Sequence, residues 1–253
     1  MEIITSVDNN LIKEVRSLQE KKYRKLHGKF IVEGPKFVRE AVNAKNVDKI
    51  FVVSSKMSDY VEIFSSLKDR VYVVNERVFA KITDTENSQG ILAEVTMPEN
   101  KPLDKSSDIL ILDRIQDPGN MGTIIRTAAA TGFNSIIAID STDVYSPKVV
   151  RSSAGTIFKT SIYQMTEAEV LDFISKNGYN LIIADARGEN IFKMANLKPP
   201  SALVIGNEAN GPSEKLKAAA SIMVSLPMTN DVESLNAGVS ASVLMYLIKK
   251  DNI

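Results

Sequence analysis

Apolar residues along this chain fall into short runs with two different periods. Unbroken or alternating runs of valine, isoleucine, leucine and phenylalanine occupy 30–32, 49–53, 71–74 and 91–95, then 109–112, 135–139, 180–184, 202–205 and 222–225, and each predicts a strand. Helical spacing between them predicts helices over 36–44 and 76–82, behind a leading helix, and then over 121–131, 147–154, 167–176, 213–220 and 234–250. The alternation is that of an α/β protein. In the second series the strands are almost free of polar interruptions, as strands buried on both faces must be. A largely parallel sheet covered by helices is expected there, with ligands at the carboxyl ends of its strands. Between the two series the stretch that opens Pro98-Glu99-Asn100-Lys101-Pro102 is polar, proline-flanked and aperiodic. It predicts a linker over 99–107, joining a small α/β domain of residues 1–98 to a larger one of residues 108–253.

Composition narrows the chemistry. The chain has 253 residues, 44% of them hydrophobic, enough for real cores without covalent staples. It has no cysteine and a single histidine, His27, which argues against disulfides, thiolate nucleophiles, zinc fingers and histidine-cluster metal sites, so no metal is expected. The opening MEIITSVDNN lacks a basic segment followed by an apolar one, and the apolar stretch near 235–248 is short and interrupted, so a soluble cytoplasmic protein without membrane contact is expected. The 31 basic and 31 acidic residues cancel, so any attraction for a polyanion must be local. One such place is Lys21-Lys22-Tyr23-Arg24-Lys25-Leu26-His27-Gly28-Lys29, which contains no acid. Lys21, Lys22, Arg24, Lys25 and Lys29 are candidates for lying along a phosphate backbone, although on this segment alone a solvated helix end is the favoured reading.

Three loops carry residue types that suit a ligand site. In the first, Asp113 to Ala128, a strand ends, a Pro118-Gly119 turn follows and a helix opens. Asn120 stands where a cap would stand. Arg126 lies further along that helix among Ile124, Ile125 and alanines, which predicts a guanidinium held either in a structural ion pair or as a planar fork for phosphate. In the second, the strand 202–205 runs into Gly206-Asn207-Glu208-Ala209-Asn210-Gly211-Pro212, where Glu208 sits in a tight, small-residue turn. In the third, Leu226-Pro227-Met228 leads to Ser234-Leu235-Asn236 at the expected start of the last helix. Ser234 is the expected cap, and Asn236, a poor helix former, offers its amide to a ligand. No Gly-x-Gly-x-x-Gly follows any of the strands, which argues against an ordinary Rossmann nucleotide site.

In this order and at this spacing the three loops resemble the catalytic domain of the SpoU, or TrmH-like, branch of the SPOUT RNA methyltransferases. The motifs are 120–126 with Thr127-Ala128-Ala129, then Gly206-Asn207-Glu208 to Gly211, then Leu226-Pro227-Met228 through Ser234-Leu235-Asn236. They anchor residues 108–250. Lys29 to Lys36, with 84–92, is similar to the ribosomal-protein-like substrate-binding domain that often precedes that catalytic domain. The resemblance implies a mostly parallel sheet with helices on both faces and a trefoil knot, a homodimer through the C-terminal domain, and S-adenosylmethionine as cofactor. It implies methylation of a ribose 2'-hydroxyl, with ribosomal RNA of the 23S type preferred because an appended domain suits a large folded target. The same chemistry on transfer RNA, and a non-catalytic RNA-binding module of the same fold, are the alternatives. Carried over by motif, Leu203, Ile205, Gly206, Asn207, Glu208, Leu226, Pro227, Met228, Ser234, Leu235 and Asn236 would hold the cofactor. Arg126, Asn120, Glu208, Ser234 and Asn236 would be the catalytic set, with Arg126 also meeting the RNA. One departure is Ala237-Gly238-Val239 after the third motif, where glycine weakens a helix by roughly 1 kcal/mol and is expected to loosen cofactor or dimer packing.

Overall fold

The computed structural model describes residues 2–194 and 199–250. The chain forms two compact units, one from Met1–Pro98 with Asp143–Phe158 and the other from Glu99–Thr142 with Lys159–Ile253. The path therefore differs from a simple division at a linker. Residues 143–158 belong with the first unit, where Asp143 accepts from Arg24 and the Phe30 ring lies against Tyr145 at 4.9 Å and Phe158 at 6.0 Å. Residues 99–107 belong to the second unit and are no bare tether. The Asn100 amide donates to the Ile162 carbonyl at 2.7 Å and accepts from the Ile162 N–H at 3.1 Å, as another strand would. Hydrophobic periodicity reports which face of an element is buried but not which core it joins, so neither assignment was open to it.

In chain order the first unit contains β1 (Ile3–Ile4), α1 (Asn10–Ser17), α2 (Lys21–His27), β2 (Lys29–Glu33), α3 (Pro35–Asn43), β3 (Val47–Val53), α4 (Val61–Phe64), β4 (Val71–Val74), α5 (Glu76–Ile82) and β5 (Ile91–Thr96). Its sheet runs β1-β4-β3-β5-β2, with β1, β4 and β3 mutually parallel and β5 antiparallel to both its neighbours. Local chemistry sets the helix starts: the Asn9 side chain accepts from the Leu11 N–H, and that of Asn75 from the Val78 N–H. The helices then bury Ile12, Val15, Val78, Phe79 and Ile82 against Phe51, Val74 and Leu92 of the sheet.

Two of the basic residues proposed for RNA are instead part of this framework. Arg24 is only 4% exposed, and its guanidinium donates to the carbonyls of Leu18 and Gln19 and to Asp143. Lys29 donates to Asp48 and to Glu94, whose other donor is Lys49 at 2.8 Å. Glu94 is fully buried on β5, between β2 and β3, so its charge is tolerated only because both neighbouring strands supply an ammonium group. The Lys29 pKa is raised: burial opposes the charged form, but hydrogen bonds and attraction from Asp48 and Glu94 prevail. Glu94→Ala is expected to destabilise the first unit by about 2 kcal/mol, because it removes the buried carboxylate that Lys29 and Lys49 share and leaves them only the more exposed Asp48 and Glu14. Urea denaturation of the full chain measures this.

The second unit contains β6 (Ile109–Asp113), α6 (Pro118–Thr131), β7 (Ser135–Ile139), β8 (Ser161–Gln164), α8 (Glu167–Asn177), β9 (Asn180–Asn190), β10 (Ser201–Gly206), α9 (Glu214–Ala218), β11 (Ile222–Ser225) and α10 (Ala237–Lys249), while α7 (Pro147–Ser152) lies in the first. The six strands run β11-β9-β10-β6-β7-β8 and every pairing is parallel. All residues of β6, β7 and β10 are buried. Ile109, Ile111, Ile137, Ile183 and Val204 pack with Val170 and Ile174 of α8 and Leu216 of α9. The alternate residues project from the other face, where α10 lies against β10 and α6. Strand β8 escaped the sequence reading because only Ile162 of its four residues is buried. Among the described residues, no helix is long and apolar enough to cross a membrane.

Candidate functional site

Register brings the three loops to one edge of the sheet. Asp113, the last residue of β6, pairs with Gly206, the last of β10, and β11 ends at Ser225 beside Asn190 at the end of β9. The loops that follow start side by side at the carboxyl edge, where parallel sheets bind their ligands.

Glu208 joins the first loop to the second. Its carboxylate accepts from the Asn120 side-chain amide at 3.0 Å and from the backbone N–H groups of Asp117 and Gln116 at 3.2 and 3.3 Å. The Asn207 amide donates in return to the Arg114 carbonyl at 2.9 Å. Asn120 is thus not the cap of α6: Asp117 is, accepting from the Asn120 N–H at 2.7 Å, with Pro118 at the first helical position. A second tie lies beneath. Arg114, held at φ 58°, donates bidentately to Asp113 and also to the Gly211 carbonyl, while Asp113 accepts from the Ser213 N–H. Nothing in the residue types alone announced Asp113 and Arg114, because the tie depends on a left-handed backbone at Arg114 that other residues must enforce.

Burial alone would raise the pKa of Glu208, but hydrogen bonds from Asn120 and from backbone N–H groups outweigh it and hold the carboxyl below its ordinary value. A carboxyl so lowered lends stability at pH values above its unfolded pKa and loses it as pH falls through the folded one. The tie is therefore intact at neutral pH and released in acid, below the usual carboxylate range. Denaturation followed from neutral pH into acid is expected to show this loss, and Glu208→Gln, which does not titrate, is expected to flatten that part of the profile.

The second and third loops wall one cavity of about 780 Å³. Ile205, Gly206, Asn207, Glu208, Leu226, Pro227, Met228, Ser234, Leu235 and Asn236 all line it. Leu203 does not: it is fully buried within β10, three residues before the strand's carboxyl end, where the cavity opens. Gly206 is needed for the turn: a Cβ there would stand 2.0 Å from the Pro212 nitrogen and 2.3 Å from the Gly211 carbonyl carbon. Asn236, not Ser234, caps α10, its side chain accepting from the N–H groups of Gly238 and Val239, so the helix begins three residues later than the pattern suggested. Its amide nitrogen is not engaged in that cap. Gly238 has a packing reason in this first turn, since a Cβ there would come within 3.3 Å of Thr123 on α6.

Arg126 is not on the cavity wall, and it is exposed on α6 with no ion-pair partner among the described residues. Of the two alternatives expected for Arg126 the structural ion pair is therefore not the one found, because the buried stripe of α6 includes Met121, Ile124, Ile125 and Ala128 and position 126 falls outside it. The rim contains a group that sequence reasoning missed. Asp185, brought to a pKa of about 2 chiefly by the Arg187 guanidinium, also pairs with Lys217 at 3.3 Å. It follows the apolar core of β9, where the run 180–184 had ended the predicted strand. No cluster of histidine, cysteine, aspartate and glutamate suited to a metal ion occurs among the described residues.

Residues 107–246 match the model of the SpoU rRNA methylase family. The chain belongs to this family. Residues 9–93 also match a substrate-binding domain of the MRM3-like type. Among curated relatives of this SpoU chain, the 23S rRNA (guanosine(2553)-2'-O)-methyltransferase RlmP of Bacillus subtilis is 30% identical, over 98% of this chain and 100% of its own length. Among solved structures, an S-adenosylmethionine-bound rRNA methyltransferase from Sinorhizobium meliloti aligns with a TM-score of 0.87 at 26% identity, covering 100% of this chain and 98% of that one. The methyltransferase AviRb of Streptomyces viridochromogenes, in complex with the same cofactor, aligns with a TM-score of 0.84 at 26% identity, covering 96% and 98%.

Proposed function

We propose that this SpoU-family protein is an S-adenosylmethionine-dependent RNA methyltransferase that modifies a ribose 2'-hydroxyl, with 23S-type ribosomal RNA as substrate. One observation carries the reading: the second and third motif loops wall a single cavity, and the Asn120–Glu208 bond ties the first motif loop to it. The cavity's size falls in the range of small-molecule sites. Its lining fits the cofactor's chemistry. Ile205, Leu226, Leu235 and Leu244 offer apolar surface to a flat ring, and the carboxylates of Glu208 and Asp185 with the cations of Arg187 and Lys217 suit a ligand that carries both signs of charge.

When bound, S-adenosylmethionine supplies an electrophilic methyl group on a sulfonium. The protein's part is alignment, exclusion of water and management of the hydroxyl proton. Glu208, anchored by three donors, holds the two loops in register. Ser234 and the free amide of Asn236 orient polar groups at the cavity edge. Arg126 stays protonated, so it serves as a clamp on the neighbouring phosphate and stabilises the oxyanion as the hydroxyl proton leaves, with that phosphate as relay.

An exposed Arg126 outside its own cavity fits a site completed by a second copy, and the exposed Val239 and Tyr246 on α10 give a homodimer apolar surface to cover. The last strands and α10 form the trefoil knot in this reading, and the protein works in the cytoplasm. The first unit binds the RNA, with Lys21, Lys22 and Lys25, all exposed, against its backbone. The test is mass spectrometry of ribosomal and transfer RNA nucleosides from cells with and without the protein. Loss of one ribose-methylated nucleotide from 23S-type RNA supports the assignment, loss from transfer RNA moves it there, and unchanged RNA refutes it.

A further inference from the structure

The surface of α2 combines charge with flat rings. At 100° per residue its positions follow one another around the helix as Lys21, Lys25, Lys22, Leu26, Tyr23 and His27, all exposed but the half-buried Tyr23, with Arg24 on the buried side. The Tyr23 and His27 rings are one helical turn apart and nearly parallel, with centroids 6.3 Å apart and planes 10° from coplanar. His27 is exposed, Leu26 beside it is 68% exposed, and the Lys22 ammonium lies 5.6 Å from the Tyr23 centroid. One flank of the helix is therefore a run of ammonium groups with no acidic partner among the described residues, and the other an aromatic shelf with an apolar step between them. A buried structural helix needs neither.

We infer that α2 is a reading surface for unpaired RNA, on which a splayed nucleobase stacks over His27 and Tyr23 while its backbone phosphates meet Lys22, Lys25 and Lys21. A duplex fits poorly, because its bases are stacked on one another and present no free face, whereas loops and bulges expose bases that aromatic side chains accept. The charge pattern favours a polyanion, since no acid lies in the helix. The inference rests on the RNA methyltransferase reading and goes beyond it by assigning the residues that select a single-stranded element and by giving the chain's lone histidine a role.

The test uses the full chain and a hairpin RNA with 2-aminopurine in its loop, with a fully paired duplex of the same length as control. The wild type is expected to bind the hairpin more tightly and to change the 2-aminopurine fluorescence. His27→Ala should weaken hairpin binding about tenfold, remove the fluorescence change and leave the salt dependence as it was, because stacking carries no counterion release. His27→Phe should restore binding, whereas Lys22→Ala should reduce the salt slope by about one while retaining the fluorescence change. Equal binding of hairpin and duplex, or wild-type behaviour of His27→Ala, overturns the inference. Cofactor titration and methylation of total RNA in the same preparations separate the two failures. If they are normal while His27→Ala binds like wild type, only this surface is refuted; if both are absent and no RNA binds, the enzymatic reading fails with it.

Discussion

Arg126→Ala is expected to slow methyl transfer roughly 10²–10³-fold while leaving S-adenosylmethionine affinity within about twofold of wild type. The reason is positional. The guanidinium stands clear of its own cavity and has no acidic partner among the described residues, so its removal is expected to cost neither cofactor contacts nor stability. What it removes is a fixed charge that acts only when a phosphate and a developing oxyanion are beside it. Single-turnover assays with calorimetric titration of the cofactor separate the two quantities. Lost affinity with normal turnover at saturation would refute this role.

Gly206→Ala should act in the opposite way. A methyl group there has no space, because the Pro212 nitrogen stands 2.0 Å from the Cβ position and backbone rather than a pliable side chain must move. The loop displaced is the one that presents Asn207 and Glu208, so the Asn120 bond and one cavity wall shift together. A misplacement of about 1 Å is enough to cost about 10²-fold, and cofactor affinity is expected to fall by at least about that factor. Calorimetry reads the loss, and the unchanged urea denaturation of the first unit shows that the rest of the chain is intact. The two variants also test the shared site. Co-expressed copies carrying Arg126→Ala and Gly206→Ala regain activity if Arg126 serves a second copy's cavity, and regain none if each copy is self-sufficient.

How far residues alone could anticipate this molecule depends on the kind of signal. The runs 109–112, 135–139 and 202–205 became central strands because nothing polar interrupts them and both faces needed covering. The residues of the cavity wall were reached through the resemblance of the three motifs, since a glycine, asparagine or glutamate in a single loop reads equally as an ordinary turn. The failures share a cause. Arg24 reads as one of several equivalent cations, and only the fold reveals Asp143 and two carbonyls converging on it. Asn120 and Asn236 were each placed one role away from the structure, because whether an asparagine caps a helix or sits inside its first turn depends on a boundary that periodicity fixes only to a few residues. Segment 143–158 looks like an ordinary helical connection, yet its rings and its aspartate complete the other unit.

The central expectation is that this chain moves a methyl group onto a ribose oxygen of RNA. The most direct measurement incubates the purified protein with methyl-labelled S-adenosylmethionine and ribosomal RNA from cells lacking the protein, then digests the RNA and locates the label. Label on the 2'-oxygen of a single nucleotide, abolished by Arg126→Ala, is the predicted result. Label on a base, or no transfer by protein that binds both cofactor and RNA, would contradict it.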